Sequence, residues 1–416
     1  MRKPLLLRDG RVLRFGAAAP ELLDIRIGGD GRIADIGPAL PSGDAEVLSV
    51  TGHLVLPGLV DMHQHLDKSR TRALLDNPSG TLMGASAAYR ALAPSITKEQ
   101  MIARAKRTVE ACSAYGTVAI RSHTNIDPQT GLRGVEAIVE LRARCAAFMR
   151  IQVVGHVTSG ATSMLPESDG WLRQAIELGI DAIGGVPAFS SEPVALLKLL
   201  FDSAERSGLP LDMHIDEHLD AGKAMFSELA KMTRAYGMAG RVVAGHSSAL
   251  SAMLPDEARR TIEELREAGV GIVTLPAANL FLQGRDADRL PPRGLTRVKE
   301  LLAAGIPVAA ASDNIQDPFV PTGSGDLLEI ARWTLLAGHF GLGDLRQMFE
   351  MVSTVPAQMI GLGADWGIRP GARADLLIAR VDTIDDLVAG GALERTVMVD
   401  GRVVSSTTTQ GHLSTP

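Results

Sequence analysis

Between residues 59 and 312, apolar strand-like runs alternate with stretches of helical period, and this alternation restricts the fold more than any other feature of the chain. The runs are Leu59–His63, Thr117–His123, Ile151–His156, Asp181–Pro187, Leu209–His214, Arg241–His246, Gly271–Leu275 and Pro307–Ser312. Among the amphipathic stretches are Lys98–Tyr115, Gly134–Cys145, Trp171–Leu178, Val194–Ser207, Ala221–Tyr236 and Pro255–Ala268. A strand that is apolar throughout fits a parallel sheet with helices on both faces. Eight such units predict an α/β protein built on a distorted (β/α)8 barrel spanning residues 59–368, with an open doubly wound sheet as the alternative.

The two ends follow a different period. Leu22–Ile27 and Arg32–Ile36 alternate about a Gly-rich turn. Ala374–Ala379 is strand-like, and Arg395–Val404 makes two strands about Asp400-Gly401. Neither end holds enough strands for a stable sheet alone. Joined, residues 1–58 and 369–416 are expected to form a small β-sandwich domain that the chain leaves and re-enters. The Ser/Thr-rich residues after about 405 are expected to fray.

Barrel enzymes draw their chemistry from the C-terminal ends of the strands. His63 and His65 close the first run, His123 the second, His156 the third, His214 the fifth and His246 the sixth, while Asp313 follows the eighth. Six of the ten histidines therefore gather at one predicted rim. Neutral imidazole is a good donor to zinc or iron, so His63, His65, His214 and Asp313 could surround one ion and leave room for water. His246 is placed to act on that water, and Glu217, three residues past His214, to shuttle protons to a leaving amine. The structural alternatives are a hydrogen-bonded core histidine at each strand end and, for Glu217, a solvated acid at a helix N-terminus. His123 and His156 are expected in supporting or purely structural roles.

The net charge is −6 with no block of like sign, which argues against nucleic acid or an anionic membrane as partner. Cys112 and Cys145 form no spacing motif, and no span of ~20 apolar residues occurs. A reduced, cytoplasmic, soluble protein is expected, with scope for a homo-oligomer.

Particular stretches carry a family resemblance. Pro57–His65 and Ala311-Ser312-Asp313, with the split β-domain, resemble the amidohydrolase superfamily. Within it the chain is similar to the bacterial cytosine deaminase group over nearly its whole length. The supporting stretches are His65-Leu66-Asp67-Lys68-Ser69, Ser79-Gly80-Thr81-Leu82, His214-Ile215-Asp216-Glu217, Gly245–Ala249, Leu282–Arg285, Arg293–Glu300, Asp317-Pro318 and Gly367–Leu376. The resemblance implies one divalent ion, Zn2+ or Fe2+, on His63, His65, His214 and Asp313. It further implies hydrolytic deamination of a small nitrogen heterocycle, with Glu217 as proton shuttle and His246 and Asp313 taking part. Relatives with paired metals commonly bridge them by a carboxylated lysine after the fourth strand, and Ile183–Ser190 has no lysine, so a single ion is expected.

Expected substrate contacts are Leu82, Thr158, Asn314 and Phe319. Three of them depart from the group. Thr158 stands where a glutamine pairs with the base, Asn314 where an acid follows the ligand aspartate, and Phe319 where a tryptophan is usual. A hydroxyl cannot offer the paired donor and acceptor of a carboxamide. The expectation therefore moves from cytosine itself to another amino-pyrimidine, an aminopurine or an amino-triazine. An N-alkylamine-releasing hydrolase, a ring-opening cyclic amidase and a non-catalytic scaffold are the alternatives.

Overall fold

The alternating segments become strands and helices in the expected order in the computed structural model, which describes residues 2–158, 164–285, 287–288 and 292–411. Eight parallel strands follow one another around a barrel: β6 (Leu59–Gln64), β7 (Thr117–Ile126), β8 (Arg150–Val157), β9 (Ala182–Gly185), β10 (Leu211–Ile215), β11 (Val242–His246), β12 (Val270–Thr274) and β13 (Val308–Ala310). They are preceded by β1 (Leu5–Val12), β2 (Glu21–Ile27), β3 (Ile33–Gly37), β4 (Glu46–Ser49) and β5 (Leu54–Pro57). After the barrel come β14 (Leu376–Ala379), β15 (Glu394–Val399) and β16 (Arg402–Thr408).

The outer helices form for local reasons that the sequence states. Pro255–Ala268 has Pro at its first position, Asp256 and Glu257 in its first turn, Arg266 in its last, and Gly269 in the left-handed conformation (φ 70°) as its cap. It buries Ala258, Ile262 and Leu265 at the 3–4 residue spacing of one helix face. Lys98–Ala114 starts with a capping box between Thr97 and Gln100 and buries Met101, Ile102, Ala105, Val109 and Cys112. Full burial of a Leu265-sized side chain stabilises the packing by about 1.5–3 kcal/mol.

The barrel closes unevenly between its first and last strands. Low on the seam, Val60 N donates to Val352 O and Ala310 N to Met351 O, so a later segment wedges between β6 and β13. Higher up the strands meet directly: Asp313 N donates to His63 O at 2.8 Å and His65 N to Asp313 O at 3.2 Å. The β6 strand also carries one extra residue, since Asp61–Gln64 faces only Ile120–Ser122 of β7. Bulges of this kind re-aim side chains next to active sites.

The terminal strands hydrogen-bond in the order β16-β15-β14-β5-β1-β2-β3, with β4 on β1, and gather a separate core around Leu7, Ile25, Val55, Ile368, Leu376 and Met398. Both chain ends thus build one sheet.

Several boundaries differ from expectation. Residues to Thr408 do not fray, because Thr407 and Ser406 pair with Arg395 and Thr396 of β15; residues 412–416 lie outside the described residues. The expected helix Ala221–Tyr236 divides into a short 3-10 turn, Ala221–Lys223, and a helix, Phe226–Ala235, where the Asp216 carboxylate captures Met225 N. The fourth strand stops at Gly185, and Pro187–Phe189 forms a turn over the barrel mouth. The β7 strand runs on past His123 to Ile126. Helix Leu82–Leu92, capped by Thr81, was not anticipated.

Candidate metal centre and active site

Strand alternation and the β6 bulge bring His63 and His65 to the lumen, where they meet His214 from β10 and Asp313 just after β13. His63 Nε2 lies 3.3 Å and His65 Nε2 3.1 Å from His214 Nε2. Asp313 Oδ1 lies 3.3 Å from His65 Nε2 and 3.8 Å from His63 Nε2. All four residues are buried. Burial, reinforced by neighbouring imidazoles and, for His65, first by Lys68, holds all three histidines well below their ordinary pKa, so they are neutral.

Three neutral rings that aim Nε2 at one point cannot satisfy one another, since each ring carries a single N–H. Four donors about 2.0–2.1 Å from a tetrahedral ion stand roughly 3.3 Å apart, close to the spacing here. Asp313 Oδ1 has no hydrogen-bond partner among the described residues, a further sign that the set fits a cation. Two overlapping groups, His123–His156–His214 and His63–His123–Asp212, are poorer holders. Each borrows one member from the first group, His214 or His63, and Asp212 is already paired with Arg121 at 2.8 Å.

Asp313 adopts φ 61° and His246 φ 63°, left-handed conformations that cost non-glycine residues about 1–3 kcal/mol and cluster at functional sites. Burial, and then the nearby Asp317, push Asp313 up to about 8. Across the seam, Asp61 accepts from Ser312 Oγ, Ser312 N and Gln64 Nε2, which fixes the residue next to Asp313.

The remaining expected groups surround this point. Burial and then Asp313 raise Glu217 well above the usual carboxyl range, and its Oε1 is 3.5 Å from His246 Nδ1. Asn279 Nδ2 donates to His246 Nδ1 at 3.0 Å, which leaves the ring proton on Nε2, 3.9 Å from Asp313 Oδ2. Burial pushes His246 down to about 3, so this neutral ring is built to donate through Nε2 rather than to take up a proton.

A pocket of about 730 Å³, counting the solvent at its open mouth, lies above these groups. Leu82, Thr158, Asn314 and Phe319 all line it. Asn314 is turned aside, donating to Asp317 Oδ2 at 2.6 Å. His156 lines the pocket with its ring 4.2 Å from that of His214. His123 lies beneath, stacked 3.8 Å from His63, with Nε2 3.3 Å from Asp212 Oδ1.

Sequence reasoning missed contributors from three segments. Lys68 is buried with Nζ 2.8 Å from His65 Nδ1, and His65-Leu66-Asp67-Lys68 held the signal as an i, i+3 pair on a turn. Ser86, Tyr89 and Arg90 arrive on helix Leu82–Leu92, which the Thr81 cap and the spacing of Ala85 and Tyr89 could have disclosed. Asn125 and Asp127 enter because β7 is longer than its apolar run.

A profile of the amidohydrolase family matches residues 69–405. A pterin deaminase of Rhizobium rhizogenes is 30% identical over 90% of this chain and 86% of the relative. An N-isopropylammelide isopropyl amidohydrolase of Pseudomonas sp. is 28% identical over 92% and 93%. The crystal structure of 5-methylcytosine deaminase from Klebsiella pneumoniae superposes with a TM-score of 0.89 at 30% identity, covering 99% of this chain and 100% of that one.

Proposed function

The chain belongs to the amidohydrolase family, and from that premise we propose that it is a metal-dependent hydrolase that deaminates an amino-substituted nitrogen heterocycle. It acts on the non-peptide C–N bond of a cyclic amidine and releases ammonia. The observation that carries this reading is the convergence of three buried neutral imidazoles and the Asp313 carboxylate beneath a pocket that also holds Glu217 and His246. His63, His65, His214 and Asp313 would hold one divalent ion, zinc or iron. When bound, such an ion makes water acidic enough to serve as a nucleophile near neutral pH.

The chain's own groups handle the protons. Glu217 grips a proton strongly because it is buried beside Asp313, as a group that delivers one to a leaving amine must. His246, with its proton on Nε2, donates to the oxyanion that develops at the attacked ring carbon. Leu82 and Phe319 line the pocket and offer apolar surface to the ring.

The similarity to pterin, 5-methylcytosine and N-isopropylammelide enzymes supports a pterin, pyrimidine or triazine ring as substrate. The net charge of −6 supports a free small molecule over a base within nucleic acid. No described helix is long and apolar enough to cross a membrane, and both cysteines are free and buried, which supports action in the reducing cytoplasm.

The test is an ammonia-release screen with metal-reconstituted protein over cytosine, 5-methylcytosine, isocytosine, isoguanine, pterin and ammelide. Release from at least one ring is expected. Isopropylamine from N-isopropylammelide, with no ammonia from any ring, would move the reading to the alkylamine-releasing alternative. Silence on the whole panel would sink both.

A further inference from the structure

Asn125 lines the pocket, and its buried carboxamide oxygen is satisfied by no described residue. It sits on β7, where alternation puts His123 and Asn125 on one face, and Asp127 follows just past the strand end. Register places Asn125 beside His156 of β8, with Thr158 two residues farther along that chain segment. The neighbouring Asp127 is firmly anchored: its Oδ1 accepts from Gln129 N, Thr130 N and Thr130 Oγ1, each at 2.9 Å. Asp127 Oδ2 lies 3.4 Å from Asn125 Nδ2. A carboxylate only accepts, so the amide nitrogen faces Asp127 and Oδ1 turns away from it. That Oδ1 is shielded from solvent and has no hydrogen-bond partner among the described residues. A desolvated, unpartnered acceptor on a residue that lines a pocket calls for a donor.

Of the other carboxamides near the reacting groups, Asn314 donates to Asp317, Gln283 to the Glu217 carbonyl and Asn279 to His246. The Asn279 oxygen is also unpartnered among the described residues, but Asn279 does not line the pocket, whereas Asn125 does. Thr158 has only a hydroxyl. Resting on the deaminase reading of this pocket, we propose that Asn125 is the residue that selects the substrate, by pairing with a lactam edge of its ring. Oδ1 accepts from a ring N–H, and the second hydrogen on Nδ2 donates to the adjacent ring carbonyl. The substrate class is thereby narrowed to planar heterocycles in which the amidine that loses ammonia shares its ring system with an –NH–C(=O)– unit. Rings that lack this unit leave the Asn125 oxygen unpaired and are rejected.

Calorimetry on zinc-loaded protein tests this with uracil, cyanuric acid and 2,4-dihydroxypteridine, each compared with pyrimidine, which has no lactam edge. At least one lactam ring is expected to bind tenfold or more tightly than pyrimidine. Asn125→Ala should cut that ratio at least tenfold while zinc content and pyrimidine binding hold. Should that variant not fold, Asn125→Asp keeps the shape, removes the N–H donor and is expected to lower the ratio likewise. A wild-type protein with no preference, or a ratio untouched by either substitution, overturns the assignment. The ammonia screen separates this from the reaction itself. Ammonia release with an Asn125-independent ratio removes only the recognition role, whereas an Asn125-dependent ratio without ammonia from any ring removes only the deamination.

Discussion

Two polar clusters lie at opposite ends of the barrel strands, and they differ in how their charges are met. Where β8 begins, Arg150 bridges Asp375 at 2.6 Å and Asp400 at 3.1 Å; Arg373 joins Asp400 to Asp365, and Arg32 completes the chain at 2.8 Å from Asp365. Three cations alternate with three anions, which tie the barrel to the terminal sheet. At the other end, His156 Nδ1, His246 Nε2 and Asp313 Oδ1 are buried and have no hydrogen-bond partner among the described residues. Burying polar atoms costs about 1–3 kcal/mol each when nothing pairs with them. A paired cluster stabilises the fold by itself, whereas an unpaired one keeps its groups available for ligands and substrate.

The contrast can be broken most directly at His214. Changing His214→Ala should reduce bound metal from about one ion per chain to nearly none and take deamination below detection, read by metal analysis and the ammonia assay. Glu217→Gln should behave differently, retaining the ion while kcat falls about 10²–10⁴-fold. Loss of metal in Glu217→Gln would make it a ligand, and a full rate would remove it from the chemistry.

Proton competition gives the next effect in size. Asp313 is pushed up to about 8 in the metal-free protein, so below that pH it carries a proton that an incoming ion must displace. The three ligand histidines are depressed and stay neutral across the same range. Metal affinity should therefore fall about tenfold per pH unit as pH drops from 8 toward 6, with one proton released per ion, measurable by titration in two buffers.

Smallest is the effect on the paired side. Arg150→Met leaves Asp375, 4% exposed, without its main partner and should lower stability by about 1–3 kcal/mol in chemical denaturation. Bound metal and kcat/KM should change less than about twofold. A comparable loss of activity would mean that the two clusters are coupled through β8.

Legibility followed the same division. His63, His65, His214, His246 and Asp313 could be read because a polar residue ending an apolar run is conspicuous, and a barrel brings strand ends together. Asn125 could not, because Thr124-Asn125-Ile126 continues β7 through polar residues that interrupt the apolar signal. Helix Leu82–Leu92, which brings Tyr89 and Arg90 to the pocket, is marked in the sequence only by its Thr81 cap and the Ala85–Tyr89 spacing, since small residues make up much of the rest. The Arg–Asp chain at the far end joins residues from 32 to 400, and nothing local in the sequence announces partners so far apart. The terminal strands were found by alternation and the Asp400-Gly401 turn, but the pairing that continues to Thr408 depends on a neighbour, β15, that composition does not report.

The uneven closure between β6 and β13 has a mechanical side. Above Met351–Val352, the barrel is zipped by main-chain contacts of His63, His65 and Asp313, the same residues whose side chains converge in the lumen. An ion shared by them would act as a rivet through the joint. Chelation should therefore speed hydrogen exchange at the Asp313 and His65 amides far more than at the β7–β8 ladder, unzipping the barrel from that one joint.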